Sequence, residues 1–227
     1  MIERSIVEAL HRAQNGSKQE LQAKALKAVF DAVRADGFQD IPLQIPEAPV
    51  EIKPFSKEAL DFLNRKEQLV YPLNRLSLKA QKLAGRPFSY IVDAGEQFLT
   101  LPSMSSQVAF HPSPDRFFLP RSNNLTLPQQ QEMIDEYSYK LQQEFGSKEI
   151  KAVMGDAPDY SLIAFLHLDA TKAKGTAEYL FGEKYGYNYA RTKTPTSSSN
   201  VAGVGRFLAA GGLFVRGWNA GGGGDDV

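Results

Sequence analysis

Three pieces of sequence between residues 179 and 218 decide the expected fold: Y-L-F-G-E-K-Y-G-Y-N-Y-A-R-T-K-T-P-T at 179–196, V-A-G-V-G-R-F at 201–207 and G-L-F-V-R-G-W at 212–218. Large and small side chains alternate in them, and successive side chains of an extended strand point to opposite faces. The three pieces therefore predict three neighbouring β-strands.

One face of the first predicted strand collects aromatic and cationic side chains, while small residues such as Gly186 and Ala190 occupy the other face. With Arg216 and Trp218 nearby, this face can stack bases or sugars and present cations to anionic groups. The same tyrosines can instead pack at the rim of a core with their hydroxyls in water. The predicted ligand-binding residues are Tyr185, Tyr187, Tyr189, Arg191, Lys193, Arg216 and Trp218.

The composition limits the classes of partner and cofactor. The 26 Lys and Arg residues balance the 26 Asp and Glu residues, so nucleic acid could bind only through a local patch. The absence of cysteine excludes disulfides, thiolate metal sites and cysteine nucleophiles. The sequence predicts no cofactor and leaves the partners unknown, with a protein partner or a homo-oligomer as the hypotheses.

The N-terminal residues M-I-E-R-S-I-V-E-A-L place acidic side chains among apolar ones and do not resemble a secretory signal. No apolar run approaches the roughly 18 residues of a membrane span. These features predict a cytoplasmic protein without a membrane partner.

Proline, glycine and helical periodicity divide the chain into four predicted segments. They are an N-terminal helical hairpin at 1–40, a proline-rich connector or surface strap at 41–55, a main body at 56–220 and a flexible glycine-rich tail at 221–227. The predicted fold class is α+β, with an α-rich N-terminal third and a largely antiparallel sheet on which one long helix packs.

Two helices are predicted near the start of the main body. Ser56 can cap a helix that contains Leu60 and Leu63. A second helix spans about 73–83 and ends at Gly85.

Thr126 and Gln129 form a capping box that predicts the long helix, from about 127 to 145. Pro128 fits its first turn. The apolar face expected to lie on the sheet consists of Ile134, Tyr137, Leu141 and Phe145.

Strands are also predicted outside the C-terminal stretch. Residues 88–92 and 98–101 alternate around D-A-G-E and predict a β-hairpin. Residues 150–154 and 160–168 predict two more strands, the second covered on both faces. A short helix capped by Asp156 is the alternative for the last segment, because periodicity cannot separate the two structures over so few residues.

A metal site is the second candidate site, with Asp156, Asp159, His167 and Asp169 as its ligands. His167 and Asp169 share a face if they lie on a strand, and the other two aspartates lie in the preceding turn. One imidazole and three carboxylates can hold a divalent cation, although the spacing matches no defined motif. The alternative is a hydrogen-bonded histidine beside turn-forming aspartates.

Two further motifs resemble catalytic or nucleotide sites only superficially. His111, Ser113 and Asp115 contain the residue types of a triad, but no nucleophile elbow surrounds the serine, which favours a proline-rich surface loop. V-A-G-V-G-R-F at 201–207 leads into another predicted strand and not into a helix that could receive a phosphate. Its Gly203 and Gly205 are expected to make room for a packed aromatic ring or to form a β-bulge.

Two functional hypotheses follow, and the sequence leaves open whether the protein is an enzyme. The first is a non-enzymatic binding or protein-interaction module that uses the aromatic and basic face of the C-terminal sheet. The alternative is a metal-dependent hydrolase in which a metal-activated water is the nucleophile. The convergence of the four predicted metal ligands in space distinguishes them.

Overall fold

A computed structural model of the chain describes residues 52–181, 189–208 and 211–222. The predicted hairpin at 1–40, most of the connector and the end of the glycine-rich tail lie outside the described residues. The elements, in chain order, are α1 (Lys57–Arg65), β1 (Leu69–Asn74), α2 (Leu78–Leu83), β2 (Phe88–Ile91), α3 (Glu96–Thr100), β3 (Ser105–Phe110), α4 (Pro114–Phe117), α5 (Leu127–Phe145), α6 (Ala157–Lys172), β4 (Tyr189–Pro195), β5 (Asn200–Leu208) and β6 (Gly212–Asn219).

The described strands form two sheets. The larger has the order β2-β6-β5-β4, in which β4, β5 and β6 are antiparallel and β2 runs parallel to β6. The smaller is an antiparallel pair of β1 and β3. The three C-terminal strands predicted from residue alternation are therefore confirmed. The mixture of helices with these sheets agrees with the α+β class.

Gly212 makes the parallel pairing of β2 with β6 possible. Its φ is +97°, and a Cβ atom there would lie 2.0 Å from the carbonyl oxygen of Pro87. That carbonyl accepts a 2.9 Å hydrogen bond from the Leu213 N–H at the start of the pairing. Only glycine fits, because a side chain would force the two strands apart.

The buried helix α6 is the centre of the fold, and the predicted strand at 160–168 is wrong. Eleven of its 16 residues are buried. The helix contacts β4 and β5 on one side, and β1 and α2 on another. A helix enclosed in this way is apolar all round and lacks the 3.6-residue alternation that identifies a surface helix. The alternative of a helix capped by Asp156 is correct, although the helix has 16 residues and is not short.

The long helix α5 has the predicted bounds and capping box, but only Leu141 of its predicted apolar face is fully buried. Leu141 is buried, whereas Tyr137 is exposed and Ile134 and Phe145 are only partly buried. Leu141 belongs to a second core cluster with residues of α1 and with Ile150. Phe145 and two strand residues of the smaller sheet, Val70 and Ala109, pack against this cluster, which is separate from the main core. The long helix that packs on the larger sheet is α6.

The predicted hairpin at 88–101 is also wrong. Residues 88–91 form β2, but its partner is β6, and residues 96–100 form the short helix α3. Residues 150–154 form no strand, and β1 was not predicted at all. The helix capped by Ser56 is confirmed, and the second predicted helix begins only at Leu78, because Leu73 belongs to β1.

None of the helices within the described ranges is long and apolar enough to cross a membrane.

Candidate binding surface

The register of the C-terminal strands places four of the predicted residues, Tyr189, Arg191, Arg216 and Trp218, on one face of the larger sheet. Tyr189 is opposite Gly205, Arg191 is opposite Gly203, and Gly203 is in turn opposite Arg216. Opposed residues of neighbouring strands share a face. The other face carries small and branched residues that pack into the main core with α6: Ala190, Ala202, Val204 and Val215.

A cation–π stack of Tyr189, Arg216 and Trp218 occupies this outer face. The guanidinium carbon of Arg216 lies 3.9 Å from the ring centroid of Tyr189 and 4.5 Å from that of Trp218. Tyr189 is buried, and Arg216 and Trp218 are partly exposed. A Cβ atom on Gly203 would lie 3.7 Å from the Tyr189 side chain, which is an ordinary van der Waals contact, so the position of Tyr189 does not require glycine here.

The buried side chain of Arg191 joins two other segments of the described chain to strand β4. Its side chain is buried, and its Nη1 and Nη2 atoms donate to the carbonyl oxygens of Leu125 at 2.7 Å and Gly222 at 2.8 Å. Burial lowers the pKa of this guanidinium. The two bonds tie the segment before α5 and the segment after β6 to strand β4.

Lys193 does not join the cation–π stack, although it has the same parity as Arg191. The register between β4 and β5 shifts after Arg191. The Lys193 ammonium instead lies 3.3 Å from the Asp156 carboxylate at the N-terminus of α6. The remaining predicted members, Tyr185 and Tyr187, lie outside the described residues.

The four predicted metal ligands do not converge. Asp156 and Asp159 lie at the N-terminus of α6, and Asp169 lies about 15 Å from Asp159 along the helix axis. Asp169 pairs with Arg86 at 2.5 Å. His167 has its own apolar surroundings, described below. In the parts of the chain that the structure describes, no three His, Asp or Glu side chains form a group that could hold a metal ion.

Asp159 serves as a buried acceptor for the backbone. Its Oδ1 atom accepts the Met104 N–H and its Oδ2 atom accepts the Asp156 N–H, both at 2.7 Å. Burial raises the pKa of this carboxyl, and the two N–H donors oppose that effect. The second bond belongs to the capping box of α6, and the first holds the chain before β3 against the helix.

Further buried polar side chains surround this end of α6. Ser161 donates to Oε1 of Gln81 at 2.9 Å, and Nε2 of Gln81 donates to the Pro158 carbonyl at 3.1 Å. The Thr194 hydroxyl donates to Asp156 at 2.8 Å and accepts the Ala157 N–H at 2.9 Å. Gln81, Asp156, Asp159, Ser161 and Thr194 are called the N-terminal polar network.

His167 is buried farther along α6 with a different environment. Its ring packs edge-on against Phe110 at a centroid distance of 6.1 Å. Neither ring nitrogen has a hydrogen-bond partner within the described residues, and Nε2 lies 3.8 Å from the Glu178 carboxylate. Burial lowers the pKa of His167, against the attraction of Glu178 and together with the repulsion of Lys174.

The structure also contains a basic cleft that sequence reasoning missed, with a volume of about 420 Å³. Its lining includes Arg65, Lys66, His111, Asp115, Arg116 and Tyr137. These residues come from α1, from the loop around α4 and from α5. F-H-P-S-P-D-R was the only sequence signal, and its interpretation as a triad fails because Nδ1 of His111 accepts the Ser113 backbone N–H at 3.1 Å.

Comparisons of the chain with protein-family models, with curated proteins and with solved structures found no match.

Proposed function

We propose that the chain is a non-enzymatic binding module that contacts a partner protein through the outer face of its C-terminal sheet. The observation that carries this proposal is the cation–π stack, in which the guanidinium of partly exposed Arg216 lies over the rings of buried Tyr189 and partly exposed Trp218. Trp, Tyr and Arg are the residue types that dominate the binding energy of protein interfaces.

The stack also reduces the entropy lost on binding. An arginine held between two rings has fewer rotamers to lose than a free one, so a partner meets a surface that is already ordered. Arg191 and Tyr189 support this surface from below and are not contact residues, because both are buried.

Trp218 is the only tryptophan of the chain, so its fluorescence reports on this surface directly. Peptides selected from a random library on the full chain are expected to shift the Trp218 emission. Their affinity should fall about tenfold or more in R216A, the loss typical of an interface hot spot. K193Q is the matched control, because Lys193 is a cation of the same sheet that turns toward Asp156.

A selection that returns no binder would count against the proposal. Peptides that leave the Trp218 emission unchanged and bind R216A as tightly as the original chain would contradict it. A wild-type preference for single-stranded oligonucleotides over every peptide would replace the protein partner with nucleic acid. Urea unfolding of R216A verifies that lost binding does not reflect lost folding.

A further inference from the structure

We propose that the basic cleft binds a phosphate group, either as inorganic phosphate or as part of a small phosphorylated molecule. The cleft is lined by three permanent cations, Arg65, Lys66 and Arg116, and by the carboxylate of Asp115, while Glu144 pairs with Lys66 at 2.7 Å and Glu67 pairs with Arg116. Its volume of about 420 Å³ falls within the range of small-molecule sites. Clustered cations in a concave site attract anions, and arginine matches the geometry of phosphate oxygens.

His111 supplies a hydrogen-bond donor to this cleft. Its Nδ1 atom accepts the Ser113 N–H, so the neutral imidazole carries its proton on Nε2. This Nε2 atom is buried and has no hydrogen-bond partner in the described parts of the chain. A buried donor without a partner is costly, and a ligand oxygen would satisfy it.

Glu67 shows where the phosphate would lie. Its carboxylate accepts a hydrogen bond from Nη1 of Arg116 and lies 3.8 Å from Nε2 of His111. The Arg116 interaction lowers the pKa of Glu67, which keeps it ionised. An anion that contacts both Arg116 and His111 must therefore displace the Glu67 carboxylate. Displacement requires little energy, because the Glu67 and Arg116 side chains are 70% and 56% exposed and such pairs are weak.

Glu67 lies at the C-terminal end of α1 in the left-handed backbone conformation. The Gln68 N–H donates to Leu63 and the Glu67 N–H donates to Asn64, the two bonds of a Schellman motif after α1. Glycine is usual at this position because φ is positive, and Glu67 has a φ of +58°. Glu67 is one of five non-glycine residues with a positive φ in the described part of the chain, and its side chain brings a carboxylate to Arg116 and His111.

Asp115 distinguishes phosphate from sulfate. At neutral pH inorganic phosphate keeps at least one proton, which it can donate to a carboxylate, whereas sulfate has no proton to donate. A carboxylate in the lining therefore favours phosphate and repels sulfate.

The test is calorimetric titration of the full chain with inorganic phosphate. R116Q should bind about tenfold more weakly or worse, the effect of losing a charged hydrogen bond. E67Q should bind phosphate more tightly than the original chain, because the competing charge is removed. D115N should bind sulfate and phosphate with similar affinity. K79Q is the matched control, because it removes the exposed Lys79–Glu96 pair outside the cleft and should change nothing.

Titration with ribose 5-phosphate distinguishes inorganic phosphate from a phosphorylated small molecule as the ligand. Binding tighter than that of inorganic phosphate identifies a phosphorylated molecule. Equal or weaker binding identifies free phosphate. Absence of phosphate binding to the original chain at millimolar concentration would overturn the proposal. Weaker binding by E67Q would also overturn it, because it would make Glu67 a support of the site and not a competitor. Glu67 is exposed, so E67Q is expected to fold normally, which circular dichroism verifies.

Discussion

Helix α6 carries buried polar side chains both at its N-terminus and in its interior, and these two regions differ in how the polar atoms are satisfied. In the N-terminal polar network, Asp159 accepts two backbone N–H groups and Ser161 donates to Gln81. His167, two turns farther on, is equally buried, but neither of its ring nitrogens has a hydrogen-bond partner among the described residues, and the Glu178 carboxylate lies 3.8 Å from Nε2.

The difference shows that buried polar side chains of one helix affect the fold in two ways. Satisfied groups fix the position of α6 against β4, α2 and the segment before β3, because each hydrogen bond joins the helix to another element. An unsatisfied imidazole fixes nothing and instead makes stability depend on pH. Substitutions in the two regions are therefore expected to change the free energy of unfolding in opposite directions.

The largest effect is expected for D159A. The substitution leaves the Met104 and Asp156 N–H groups buried without acceptors, and it removes the capping box of α6. We expect a loss of about 3 kcal/mol in the free energy of unfolding, measured in urea. D159N retains one acceptor oxygen and should lose about half as much. A loss below roughly 1 kcal/mol would show that this end of α6 does not depend on the network.

H167L is expected to change the free energy of unfolding in the opposite direction to D159A. Replacing the imidazole by an apolar side chain removes two unpartnered nitrogens and should leave stability unchanged or raise it by about 1 kcal/mol at pH 7.5. A destabilisation of similar size would mean that the imidazole makes a stabilising interaction after all.

The pH dependence sharpens the same test. The pKa of His167 is lowered in the folded state, so the unfolded chain binds a proton first as the pH falls. The contribution of neutral His167 to the free energy of unfolding is present above the ordinary histidine pKa of about 6.5, and it is lost as the pH falls below that value. Urea unfolding between pH 7.5 and 5 should show this decline in the free energy of unfolding. The H167L variant should lack the decline. The E178Q variant should show a steeper one, because Glu178 favours the charged imidazole.

The smallest effect is expected for S161A. Loss of the hydroxyl leaves Oε1 of buried Gln81 without its donor, for a cost of about 1 kcal/mol or less. Combining S161A with Q81M in a double-mutant cycle should give a coupling energy of at least about 0.5 kcal/mol. Additive losses would show that the two side chains act independently and that the network is not cooperative.

The sequence was sufficient for elements whose signals are local. The capping box of Thr126 and Gln129 set the start of α5, and residue alternation identified β4, β5 and β6, because caps and pleats involve residues only a few positions apart. The sharing of one face by Tyr189 and Arg191 also follows from alternation. The α+β class follows from these elements together.

Long-range pairing was needed for the rest. Strand β2 pairs with β6 across more than a hundred residues, and the same local alternation is compatible with the hairpin that was predicted. The stack of Arg216 between Tyr189 and Trp218 depends on strand register, and a register shift separates Lys193 from it. The sequence predicts a strand where α6 lies, because a mostly buried helix lacks the amphipathic pattern on which such predictions depend. The basic cleft combines residues from three distant segments, and spatial proximity of that kind leaves no periodic trace in a single sequence.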